Sequence, residues 1–106
     1  MPVSNIDITT TNNAFVAAPG SGFRWVVVGW RFTASAATFT KVQIRDGAAG
    51  SILSTTYAAN IAGGGENVPD GSVALRLSEN TAIALVLTGT GSLGGTITYR
   101  KERVFS

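Results

Sequence analysis

Short runs rich in Val, Ile, Thr and aromatic residues recur every eight to twelve residues along the chain, divided by clusters of Gly, Asn, Asp and Pro. No long stretch sustains a helical period, so the chain has to build its core from strands. This spacing predicts an all-β fold, an antiparallel β-sandwich of about eight strands, with jelly-roll connectivity preferred. The 106 residues suit one domain spanning 1–106, and 44% hydrophobic content is enough to fill a single core.

The expected strands follow from local alternation. Val3 to Thr10 turns Ile6 and Ile8 inward and Asp7 and Thr9 outward, before a turn at Asn12-Asn13 and a short strand from Ala14 to Ala17. Phe23 to Ala34 is the longest run. If regular, it places Val26, Val28, Trp30 and Phe32 on one face and Phe23, Trp25, Val27, Arg31 and Thr33 on the other, so both faces are apolar near its middle. A bulge at Gly29 would instead bring Trp25 and Trp30 onto one face, and the sequence leaves both arrangements open.

Thr38 to Asp46 sets Thr40, Val42 and Ile44 against Lys41, Gln43 and Arg45, and Asp46-Gly47 turns it into a partner strand from Ser51 to Tyr57. Ala58 to Gly71 reads as a long loop. The remaining strands are Ser72 to Leu77, with Val73, Leu75 and Leu77 inward; Thr81 to Thr88, with Ile83, Leu85 and Leu87 inward; and Gly95 to Arg100, with Ile97 and Tyr99 inward.

Composition removes much of the usual catalytic chemistry. The chain has no Cys and no His, hence no thiolate and no imidazole to act as nucleophile, base or metal ligand. Glu66 and Asp70 are the acids best placed to face each other across a cleft or to hold a hard cation, yet their spacing fits no known loop motif, and a solvated loop explains them. Gly63-Gly64-Gly65 lacks the Gly-Lys-Ser/Thr that completes a phosphate loop. The chain is therefore expected to be non-enzymatic, without metal or cofactor.

No apolar run approaches the ~20 residues of a membrane-spanning helix, and the start has no leader-like pattern, so a soluble protein is expected. Charged residues make up only 13% of the chain, about half the usual share, with a formal charge of +2. Small neutral side chains in their place suit surfaces packed against other subunits, although a low-charge monomer would look the same. Arg24, Trp25 and Arg31 hint at an aromatic and basic face, but aromatics in so apolar a strand belong more naturally to a core or an interface, so no direct nucleic acid partner is expected.

The segments Phe23-Arg24-Trp25-Val26-Val27-Val28-Gly29-Trp30, Lys41-Val42-Gln43-Ile44-Arg45-Asp46-Gly47 and Gly94-Gly95-Thr96-Ile97-Thr98-Tyr99 together resemble the small jelly-roll proteins of tailed bacteriophage virions, of the capsid cement, decoration or head-fibre type. The resemblance is one of pattern and spans nearly the whole chain. It implies a virion structural protein that forms a dimer or trimer and binds the major capsid protein on the outside of an assembled shell, after a soluble stage in the host cytoplasm. Contact residues expected on this basis are Arg24, Trp25 and Arg31 on the long strand, Glu66, Asn67 and Asp70 in the loop, and Arg103 and Phe105 near the end. The alternative is a fibre or tail module that recognises a host carbohydrate, with Trp25 as an exposed stacking platform.

Overall fold

The computed structural model describes residues 3–34, 39–48, 50–57, 66–89 and 92–104. These residues form nine strands: β1 (Val3–Ile8), β2 (Asn12–Val16), β3 (Phe23–Ala34), β4 (Phe39–Asp46), β5 (Ile52–Tyr57), β6 (Glu66–Val68), β7 (Leu75–Arg76), β8 (Ile83–Gly89) and β9 (Leu93–Arg103). One sheet runs β1-β9-β3 and ends with β6 and β7, which share the free edge of β3; the other runs β2-β8-β4-β5. Each sheet is thus four lanes wide, and every ladder is antiparallel.

Counting β6 and β7 as one interrupted strand, the first strand pairs with the last, the second with the last but one, the third with β6 and β7, and the fourth with the fifth. That nesting is a long antiparallel ribbon rolled upon itself, which is the jelly roll. Its sequence cause is a set of alternating runs whose apolar residues meet between the sheets. Ile6 on β1, Val16 on β2, Val27, Trp30 and Phe32 on β3, Val42 and Ile44 on β4, Ile83 and Leu85 on β8, and Leu93, Ile97 and Tyr99 on β9 form one core, joined by Leu77.

The long strand is bulged. Val27 faces Tyr99 while Gly29 faces Thr98, so Val28 is an extra residue in β3. Beyond it the parity changes: Trp25, Val27, Trp30 and Phe32 all point inward, and Arg24, Val26, Arg31 and Thr33 point outward. The bulge settles the ambiguity in favour of the shared tryptophan face. Gly29 is required because Val68, Pro69 and Asp70 cross directly over it; a Cβ there would lie 2.6 Å from an Asp70 carboxylate oxygen and 2.8 Å from the Val68 carbonyl oxygen. Further along, Gly95 has φ of 122° and a Cβ would collide with the Arg31 carbonyl, so glycine is what lets β9 pass between β1 and β3.

Several strand limits differ from the expected ones. The first turn comes at Thr9-Thr10, not at Asn12-Asn13, because the Thr11 hydroxyl already donates to the Leu87 carbonyl and accepts the Leu87 N–H, starting the ladder early. Glu66–Val68 belongs to a strand rather than a loop, held by pairing with Trp30, Arg31 and Phe32. The expected strand from Ser72 to Leu77 pairs only at Leu75–Arg76, with the Leu77 N–H adding a bond to the Trp25 carbonyl, though Val73, Leu75 and Leu77 do turn toward the core. The last strand runs from Leu93 to Arg103, longer than Gly95 to Arg100.

Candidate functional site

The outer face of the β1-β9-β3 sheet carries most of the chain's unusual chemistry. At one end, cross-strand register sets Arg24 opposite Glu102 and Val26 between Arg100 and Arg76. Three guanidiniums converge on one carboxylate there. Arg24 Nε donates to Glu102 Oε1 at 2.7 Å, Arg100 Nη1 to Oε2 at 3.1 Å, and Arg76 Nε lies 3.5 Å from Oε1. The hydrogen bond from Arg24 is the main reason the Glu102 pKa lies below its ordinary value; partial desolvation opposes it, while the Arg100 hydrogen bond and the charges of Arg24 and Arg76 reinforce it.

Glu102 therefore stays ionised and pins the arginines, but it cancels only one of their three charges. The side chains remain between 23% and 49% exposed, so the excess charge faces solvent. Val26, fully buried although it points away from the core, sits in register between two of these arginines. Long cationic side chains cover apolar neighbours with their stems while keeping their heads in water.

Beyond this cluster the same face opens into a groove of about 270 Å³ lined by Val3, Arg31, Thr96, Thr98, Val68, Pro69 and Asp70, with Trp30 at its floor. The crossing segment is fastened by the Gly71 N–H to the Val28 carbonyl at 2.9 Å and by the Ser72 N–H and hydroxyl to the Pro69 carbonyl. Arg31 and Asp70 are exposed, as is Asp7 at the far end opposite Gly94. The face thus reads, along the strands, as a basic cluster, then a mixed pair, then an acid.

Trp25 lies on the other side of the sheet. Its indole packs edge-on against Tyr99 with centroids 4.9 Å apart, and its Nε1 donates to the Ala17 carbonyl at 2.8 Å. Lys101 stands over both Trp25 and Phe23, and Arg103 over Phe23, at 5.1 to 5.9 Å from the ring centroids. This cluster closes one end of the sandwich, and an indole held this way is not a free stacking platform.

The expected contact residues are therefore divided. Arg24, Arg31 and Asp70 share the outer face; Trp25 and Arg103 belong to the inward cluster; Glu66 and Asn67 are placed by backbone pairing with Phe32 and Arg31; Phe105 lies outside the described residues. Arg76, Glu102, Asp7 and the groove threonines were not singled out from sequence. Arg100 and Glu102 stand two apart in an alternating segment, a signal that they share a face, but their convergence with Arg24 and Arg76 exists only through pairing.

The other outer face is plainer. Lys41, Gln43 and Arg45 on β4 pair with Thr88, Val86 and Ala84 on β8, and Arg45 donates to the Gln43 side-chain carbonyl at 2.6 and 3.0 Å. Two other acids serve the fold. Asp46 accepts from the Ser78 N–H and hydroxyl at 2.8 and 2.6 Å, and Glu79 from the Gly22 N–H at 2.7 Å. No family model matches the chain, and neither a curated protein nor a solved structure matches it.

Proposed function

We propose that this jelly-roll protein is a non-enzymatic virion structural protein, a capsid decoration or cement protein that self-associates and binds the outside of an assembled phage shell. The observation that carries the reading is how the ionisable groups are spent. Asp46 ties the end of β4 to Ser78, Glu79 ties its turn to the turn at Gly22 and Glu102 fixes three arginines, while Asp7, Arg31 and Asp70, exposed and without an ion-pair partner among the described residues, spread across a broad sheet face. Such a face recognises another surface by pattern; it does not assemble an acid and a base around one reacting atom.

Self-association through that face leaves the other surfaces of the pair to meet the shell in more than one copy, and weak contacts become strong when many are made together on one particle. Co-sedimentation of the purified protein with empty shells of its virion tests the reading, and saturable binding is expected. Protein that stays in the supernatant at every concentration would refute it. The second reading, recognition of a carbohydrate, is favoured only by the hydroxyl-lined groove between Thr96, Thr98, Arg31 and Asp70, and it requires sugar binding by the isolated protein.

A further inference from the structure

We infer that the outer face of the β1-β9-β3 sheet is self-complementary and pairs with a second copy of this chain about a two-fold axis lying in the face, perpendicular to the strands. This names the surface for the self-association proposed above and rests on that reading for its purpose, though not for its geometry.

The register supplies the geometry. Taking β9 as a ruler, Arg100 lies three residues to one side of Ile97 and Gly94, opposite Asp7, lies three residues to the other. Arg31 is level with Thr96 and Gly29 with Thr98, one residue to either side of Ile97, and Asp70 lies over Gly29. An in-plane axis crossing β9 at Ile97 and perpendicular to the strands keeps each lane over itself and reverses the levels. It carries Arg31 onto the partner copy's Asp70 and brings Arg100 level with the partner copy's Asp7. Asp7 is one strand away, ~4.8 Å, which an arginine side chain spans. In an isologous interface each contact occurs twice, so both pairs are made reciprocally.

Other pairings fail on charge. An axis parallel to the strands sets the Arg24, Arg76 and Arg100 cluster against its own copy. The opposite sheet presents Lys41 and Arg45 on its outer side and, among the described outward residues of β4 and β8, no acid, so two such faces repel. A continuous polyanion laid along the chosen face would meet Asp70 and Asp7 after the basic cluster, which argues for a protein surface of mixed sign. Asp7, Arg31 and Asp70 are all exposed and have no ion-pair partner among the described residues. Area is sufficient too, because the molecule measures 45 × 26 × 19 Å and a stable dimer buries only about 800 Å² per partner. The apolar Val3, 54% exposed beside the groove, lies near the proposed axis and is covered in the pair.

Charge reversal tests the pairing. Light scattering on the wild-type chain at tens of micromolar should give a mass near twice 10.9 kDa. R31D and D70R should each raise the dimer dissociation constant at least ~100-fold, since opposed like charges are costly at an interface. The double variant R31D/D70R should restore the dimer by exchanging the two signs. D7K, at the far end of the face, is an independent variant expected to weaken the dimer, and circular dichroism checks that each chain is folded. A monomeric wild type, single variants that remain dimeric, or a folded double variant that remains monomeric would each overturn the inference. Shell binding measured on the same samples separates the two proposals: a dimer that ignores shells refutes shell binding alone, single variants that stay dimeric and still bind shells refute the pairing surface alone, and a monomer that binds shells refutes the pairing and the self-association but not shell binding.

Discussion

Val26 and Val27 are neighbours with the same exposure, 0%, yet the bulge gives them opposite roles, and replacing each by Asp separates those roles. Val27 belongs to the core with Trp30, Phe32 and Tyr99. Its loss removes about 1.5–3 kcal/mol of burial. A carboxyl in that position must also be neutral, which at pH 7 costs about 4 kcal/mol, being ~1.36 kcal/mol for each unit between an ordinary pKa of about 3.9 and the solution pH. The sum, about 6–7 kcal/mol, rivals the entire stability of a small domain, ~5–15 kcal/mol.

Val26 loses the same burial, but its side chain is on the outer face between Arg76 and Arg100, where three arginines are balanced by Glu102 alone. The new carboxylate recovers part of the loss, leaving a net cost of about 1–2 kcal/mol, or roughly 5–15 °C in Tm for a domain of this length. Thermal unfolding followed by circular dichroism is the assay. V26D should unfold cooperatively at a lowered Tm, and V27D should show no cooperative transition. In a regular strand Val26 would share the face of Trp30 and Phe32, so the reverse ranking, or equal Tm values, would refute the bulge and the layering built on it.

Two further outcomes follow from local geometry. Because Glu102 has a lowered pKa in the folded protein, its contribution is fully present above the ordinary glutamate value, about 4.3, and is lost as pH falls through the folded value. E102Q should therefore lower Tm at neutral pH and flatten the acid limb of a Tm-against-pH curve, and an unchanged acid limb would contradict the assignment. G95A has to place a side chain at φ of 122° against the Arg31 carbonyl and should cost about 2–4 kcal/mol by urea unfolding, where a change under 1 kcal/mol would show that β9 does not pass so close to β3.

The sandwich was legible because alternation carries facing information. Val42 and Ile44, Ile83 and Leu85, and Ile97 and Tyr99 all fall on the side their sequence period assigns, and the Asp46-Gly47 turn joins β4 to β5 as expected. Boundaries were less legible where a side chain extends a ladder, as Thr11 does with Leu87, or where a short segment becomes a strand only by finding an edge, as Glu66–Val68 does on β3. The candidate site was the least legible part. Arg24, Arg76, Arg100 and Glu102 come from three strands far apart in the chain, and Asp70 reaches the face only because Gly29 lets the 68–71 segment cross it. Such convergence is a property of strand order, and no local spacing encodes it.

The proposal that the protein self-associates and covers a shell is tested most directly by sedimenting empty shells through increasing concentrations of the purified protein and weighing what comes down. A plateau at a fixed number of copies per capsomer, reached with the dimeric species, is the predicted result. Protein that never enters the pellet, or that accumulates without saturation, would contradict it.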